Sequence, residues 1–276
     1  MKKILVPTDL SDLSGYALTL AQKFANNSGA EIYALMVFPT PAEVLFDREG
    51  EQVDPGDYDL ERIKIEQQKS ISSLSEWLEK YKIPAIPVFK TGNLTDQILN
   101  CIKKENIDMV VMGTHGLHGL RELIANSVTE QVVRQSSVPV LSLKCDRSDL
   151  EIKNIVWASS FRKGTIKKNA FIKELQEAFG AKIHLLRVNT VNDLVSTRNL
   201  QKSMKAFAAL NGLTHVAYHI YSDKDIESGI LHFTEDEGMD LISIAVEPDS
   251  LSRLFHKSVS SALVNHVYHP VLTIKN

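Results

Sequence analysis

Only two cysteines occur, Cys101 and Cys145, far apart and outside any CxxC or Cys/His ligand spacing. That pattern excludes a disulfide framework and a thiolate metal site, and it predicts reduced, unpaired thiols. Positive charge is not in surplus either: 31 Lys and Arg face 34 Asp and Glu, a net charge of −3. No basic field is therefore present to draw in nucleic acid or an anionic membrane. No apolar run approaches the roughly 18 residues that a membrane span needs. The run Ile4-Leu5-Val6 meets Pro7 and Asp9 too soon to serve as the apolar core of a signal peptide. The pattern G-x-x-x-x-G-K-[ST] is absent, which disfavours a P-loop NTPase, and no G-x-G-x-x-G follows the first strand. A soluble cytoplasmic protein, without nucleic-acid or membrane partners, is the expectation.

What is present is a repeat. Lys3-Ile4-Leu5-Val6-Pro7-Thr8 reads like Asn154-Ile155-Val156-Trp157-Ala158-Ser159, and residues 29–37 read like residues 180–188, both at an offset of 151. Asp108-Met109-Val110-Val111-Met112 matches Asp240-Leu241-Ile242-Ser243-Ile244 at an offset of 132. Ser127-Val128 and Pro139-Val140-Leu141 recur at an offset of 131, as Ser258-Val259 and Pro270-Val271-Leu272. The second copy is thus about twenty residues shorter, and the loss falls after its second strand.

In the first copy, apolar runs predict strands near 3–7, 31–38, 84–90, 107–112 and 139–143. Apolar residues at three- and four-residue spacing predict helices over 13–26, 59–82, 94–104 and 127–136. The strands are continuous rather than alternating apolar runs, as in a parallel sheet covered by helices on both faces. The second copy repeats the strands near 152–158, 182–188, 214–221, 240–245 and 270–274. The expectation is α/β, two tandem doubly wound five-stranded parallel-sheet domains spanning 1–146 and 150–276. Polar, turn-prone Asp146-Arg147-Ser148-Asp149 marks the join.

Ligands of such sheets bind beyond the carboxyl ends of the strands, where the strand order reverses. Three segments of the first copy converge there. Pro7-Thr8-Asp9-Leu10-Ser11 follows strand one, and Asp9 either meets ribose hydroxyls or a metal, or caps the helix that starts near Ser11. Met36-Val37-Phe38 ends strand two, where backbone groups can read an adenine edge while apolar side chains pack on the ring. Gly113-Thr114-His115-Gly116-Leu117-His118-Gly119 follows strand four and precedes Asn126-Ser127-Val128-Thr129-Glu130. Glycines there let backbone N–H groups approach a phosphate, and Ser127 with Glu130 forms a capping box that opens a helix facing the loop.

With these residues the chain resembles the universal stress protein family, in its tandem two-domain form, over essentially its whole length. The family's ATP-binding members carry G-x2-G-x9-G-[ST] after strand four, which Gly113, Gly116 and Ser127 fit, with Asn126 at the third glycine. The resemblance implies the adenine nucleotide α-hydrolase-like fold and a site for ATP or another adenine nucleotide, with Mg as its companion ion. It implies that Asp9, next to Thr8, contacts ribose and that Val37 meets adenine. Met112 and Gly113 would line the ribose, and Gly116, Asn126, Ser127 and Val128 would face the phosphates. Asn tolerates positive φ best after Gly, so Asn126 preserves the backbone shape while bringing a side chain towards the phosphates.

The second copy departs further. Asp9 becomes Ser160, Lys257 replaces Asn126, and Ala245-Val246-Glu247-Pro248-Asp249-Ser250 replaces the glycine loop. Negative charge at Glu247 and Asp249 and the missing N–H of Pro248 oppose phosphate binding. Segment 39–58, with Glu43, Asp47, Glu49, Glu51, Asp54 and Asp57, reads as an acidic loop absent from the second copy. His256, His266 and His269 lack a ligand-spaced partner, and no metal site is read. His115 and His118 read as solvent-facing loop residues.

The functional expectation is a stress-response protein that binds an adenine nucleotide in its first domain and acts by regulation or partner interaction. Slow ATP hydrolysis or adenylyl transfer is the enzyme alternative, although no nucleophile–base pair is visible. A scaffold without nucleotide is the third reading. The two domains are expected to pair as an internal pseudo-dimer, with a homodimer of chains as a further form.

Overall fold

The computed structural model describes residues 1–38, 45–46, 52–54, 60–114, 128–162, 166–246 and 268–275. The chain divides into two compact units, one built mainly on residues 1–113 and the other mainly on 149–276.

In the first unit β1 (Lys3–Thr8) pairs in parallel with β2 (Glu31–Phe38), Ile4 opposite Ile32, and with β6 (Met109–Gly113), Ile4 opposite Met109. β2 pairs in parallel with β5 (Ile86–Thr91), so the order is β6-β1-β2-β5. β1 and β6, and the middle of β2, are apolar runs buried on both faces, which explains their lack of polar alternation, whereas the outer strand β5 is largely exposed or half-buried. α1 (Asp12–Ser28) begins where the Ser11 hydroxyl accepts from Ser14 N–H, and ends at Gly29, left-handed at φ 73 with its N–H on the Ala25 carbonyl. α2 (Leu60–Tyr81) and α3 (Leu94–Lys104) follow, the latter capped by Asn93. α4 (Val128–Gln135) is the last helix among the described residues of this unit. Leu5, Leu35, Ile98, Ile102, Val110 and Val132 make the core between β1, β2, β6, α3 and α4.

The Asp108 carboxylate accepts from the backbone N–H groups of Lys2 and Lys3, tying the entry of β6 to the entry of β1. Within the acidic segment 39–58, β3 (Leu45–Phe46) and β4 (Gln52–Asp54) pair antiparallel, so this stretch holds a short hairpin rather than loop alone.

In the second unit β8 (Asn154–Ala158) lies between β9 (Lys182–Asn189) and β11 (Leu241–Val246), with β10 (Val216–Ser222) outside β9 and β12 (Val271–Lys275) beside β11. The pairings are parallel. Leu141–Lys144, from the last strand of the first copy (β7, Val140–Leu143), groups with this unit, and the Ser142 hydroxyl donates to the Val271 carbonyl. α5 (Ala170–Phe179), α6 (Thr197–Leu210) and α7 (Ile226–Asp236) are the helices among the described residues of this unit.

The repeat extends to details. Asp240 accepts from the N–H groups of Lys153 and Asn154, as Asp108 does from Lys2 and Lys3. Leu10 and Phe161, at equivalent places after the first strand of each copy, both adopt left-handed backbone, at φ 66 and φ 47. Side chains rarely accept that region, so the shared turn is held by its surroundings.

Candidate functional site

β1 continues to β2 on one side, whereas β6 joins it on the other. The strand order of the first unit therefore reverses between β1 and β6, and the carboxyl ends at such a reversal are where ligands of doubly wound sheets bind. Asp9 leaves β1 there and is exposed. It is not the helix cap: Ser11 holds that position, and Asp9 in turn accepts from the Ser11 N–H and the Ser11 hydroxyl. Partial burial pushes its pKa up, but the Ser11 and Ser14 hydrogen bonds outweigh this and hold the carboxyl below its usual range. An ionised carboxylate with free lone pairs is thus fixed at the switch point.

Thr8 is buried, and its hydroxyl is already engaged, donating to Ser14 Oγ at 3.0 Å and accepting from Leu10 N–H at 2.9 Å. The chain Thr8–Ser14–Ser11–Asp9 orients the carboxylate, and sequence reading missed Ser14. Its only signal was a Ser three residues after the cap, easily read as an ordinary first-turn residue.

Gly113 ends β6 against α1. A Cβ added there would lie 2.5 Å from Leu13 Cγ and 3.1 Å from the Leu13 carbonyl oxygen, so only glycine lets helix and strand approach this closely. Met112 is buried in the core, leaving its backbone as the part able to meet a ligand. Val37 and Val128 are half-buried and pack against the same core. Phe38 accepts from Gly92 N–H, closing the far side of β2. Gly116, Asn126 and Ser127, with His115, His118 and the phosphate-facing part of the motif, lie outside the described residues.

The equivalent place in the second unit is built differently. Arg187, at the position of Met36, is 1% exposed on β9. Its guanidinium donates to the Ser160 carbonyl at 3.3 Å and pairs with Asp193 at 2.6 Å, and Arg162 holds the other Asp193 oxygen. Burial would raise the Asp193 carboxyl, but hydrogen bonds from Arg162 and Arg187 and their charges keep it lowered. Beside this network Ala158, Ser159, Arg187, Val188 and Ile230 enclose a space of only about 10 Å³, enough for one water. Glu247, Pro248, Asp249 and Lys257 lie outside the described residues.

Among the described residues no group of three or more His, Cys, Asp or Glu is arranged to hold a metal ion, and no helix is long and apolar enough to cross a membrane. Neither Cys101 nor Cys145 is in a disulfide.

A parallel sheet with helices between its strands, whose order reverses beside β1, defines a doubly wound α/β architecture. The family model for the universal stress protein family matches residues 1–144. The chain belongs to that family. A universal stress protein of Methanocaldococcus jannaschii is 31% identical over 145 residues, covering 52% of this chain and 82% of that protein. Universal stress protein YxiE of Bacillus subtilis is 28% identical, over 51% of this chain and 98% of its own length. Among solved structures, a universal stress protein from Archaeoglobus fulgidus has the same fold, with a TM-score of 0.72 and 22% identity, covering 99% of this chain and 98% of that one. The cytoplasmic domain of a prokaryotic cation chloride cotransporter also shares the fold, with a TM-score of 0.58 and 11% identity over 99% of this chain and 94% of that one. The architecture by itself therefore does not select a function.

Proposed function

We propose that this protein is a stress-response protein that binds an adenine nucleotide (ATP, ADP or AMP) in its first unit, beyond the carboxyl ends of β1 and β6, and acts by regulation and partner interaction rather than turnover. The observation that carries the reading is Asp9, an exposed, ionised carboxylate held by Ser11 at the strand-order reversal. In that position it accepts from the ribose hydroxyls. Val37 packs against adenine, and the backbone of Met112 and Gly113 lines the sugar. The motif residues Gly116, Asn126, Ser127 and Val128 complete the phosphate side, with Mg as the charge partner of the phosphates.

The second unit is proposed to bind no nucleotide, because Arg187, Asp193 and Arg162 satisfy one another where a ligand would sit. A cytoplasmic setting belongs to the proposal and fits two cysteines that form no disulfide. Readout through partners includes a dimer of chains, which sedimentation with and without ATP would detect.

The test is mass analysis of nucleotide retained by the purified protein, followed by ATP titration of wild type, Asp9→Ala and Gly116→Val. One nucleotide per chain is expected, with affinity lost by at least tenfold in each variant. No binding by wild type at millimolar ATP overturns the reading. Product formation well above one per minute would instead favour an enzyme.

A further inference from the structure

Two histidines in the second unit do work that nothing in the nucleotide reading uses. His184, buried on β9, and His219, half-buried on β10, are joined by a hydrogen bond of 3.1 Å between His184 Nδ1 and His219 Nε2. Their rings are nearly parallel, with centroids 5.1 Å apart and planes 10° apart. His184 Nε2 faces the Asn154 side-chain oxygen at 3.2 Å. An amide oxygen only accepts, so His184 carries its hydrogen on Nε2, its Nδ1 is bare, and His219 donates from Nε2. Phe233 of α7 covers the pair, its ring 4.7 Å from His219.

This arrangement suits two neutral imidazoles. One added proton keeps the bond, either on His219 Nδ1 or on His184 Nδ1 with the His219 hydrogen moved to its own Nδ1. A second proton leaves donor against donor. β10 is the outermost strand in the sheet order of this unit, and its side chains are half-buried or exposed, so beyond its parallel ladder to β9 and the packing of Tyr221 on Phe233, the histidine pair is a polar side-chain tie from this strand to β9.

We propose that His184 and His219 form a proton-operated latch that fastens edge strand β10 to the second unit's sheet and lets it open on acidification.

Burial favours this direction, and the charged groups around the pair act both ways. Lys182 at the start of β9 and His215 before β10 oppose protonation, whereas Asp240 before β11 and Glu237 after α7 favour it. Burial, then His219, Lys182 and His215, push His184 down to about 4, and burial also lowers His219. The pair titrates as a unit. An opened strand frees both imidazoles to their ordinary value of about 6.5, so protons bind the open form first.

The first unit supplies an internal control. His184 aligns with Tyr33, and β9–β10 sets Ala217 opposite His184 as β2–β5 sets Ile86 opposite Tyr33, so His219 corresponds to Val88. That unit has the same outer strand without the latch.

Hydrogen exchange followed by mass spectrometry on the full chain at pH 7 and pH 5, corrected for intrinsic exchange rates, tests the proposal. Protection of residues 216–222 is expected to fall at least about twentyfold relative to residues 86–91, the ratio that values near 6.5 and 4 set between pH 7 and pH 5. The double variant His184→Tyr/His219→Val, which copies the first unit, is expected to abolish the difference. Parallel loss in both strands of the wild type overturns the proposal. So does an NMR titration of the wild type in which either imidazole of the folded chain titrates at its ordinary value, a readout that needs no variant to fold.

Discussion

Arg187 Nη2 lies 2.6 Å from Asp193 Oδ2, and Arg187 is 1% exposed, so the end of the second unit's β9 buries a cation with its own carboxylate rather than leaving room for a ligand. Removing one partner of such a pair strands the other charge, which costs about 3–5 kcal/mol. Asp193→Ala is therefore expected to lower stability by that amount, and adding Arg187→Met, the residue at the equivalent place in β2, is expected to restore most of it. Denaturant unfolding followed by tryptophan fluorescence measures both. Because Asp193 titrates below its ordinary 3.8 when folded, this stabilisation is complete above about pH 4 and is lost only as pH falls further.

Gly113→Ala tests the close approach of α1 to β6. The added Cβ meets Leu13 at 2.5 Å, and the helix must shift. A loss of about 1–3 kcal/mol is expected on urea unfolding, together with weaker ATP binding if the same glycine lines the nucleotide site as proposed. Unchanged stability would mean that α1 yields without cost.

Asp108→Ala and Asp240→Ala remove the same device from each unit, a carboxylate that receives two backbone N–H groups. Each is expected to cost about 1–3 kcal/mol. The residues share no partner, so the double variant should show the sum of the two effects in denaturant titration.

Burial, with Glu105 nearby, pushes the Cys101 thiol up to about 11. At pH 8 it is almost wholly protonated and enclosed, and native protein treated with iodoacetamide should carry label on the half-exposed Cys145 alone. Rapid labelling of Cys101 under native conditions would show that its pocket opens.

Much of the scaffold was legible residue by residue. The run Ile4-Leu5-Val6 and its repeat Ile155-Val156-Trp157 read as buried parallel strands because they lack alternation, and the structure places strands at both. The place of Asp9 at a strand exit followed from the same pattern. Its role was not so readable: whether it caps α1 or stands free depends on Ser11 winning the cap, a competition between two neighbouring acceptors that backbone geometry decides. The hairpin of β3 and β4 was hidden because its strands are short and flanked by acidic residues, which alone suggest a loop.

The sequence by itself determined the tandem repeat, the strand and helix periods, and the glycine motif by which the first copy differs from the second, because these are local patterns of polarity and backbone freedom. Only the tertiary structure decided that Arg187 would turn inward onto Asp193 and Ser160, or that His184 and His219 would meet. The first depends on a loop folding back over a strand end, and the second on the parallel register of β9 and β10. Pairings of that kind are made between residues that sequence order keeps apart, and no periodicity announces them.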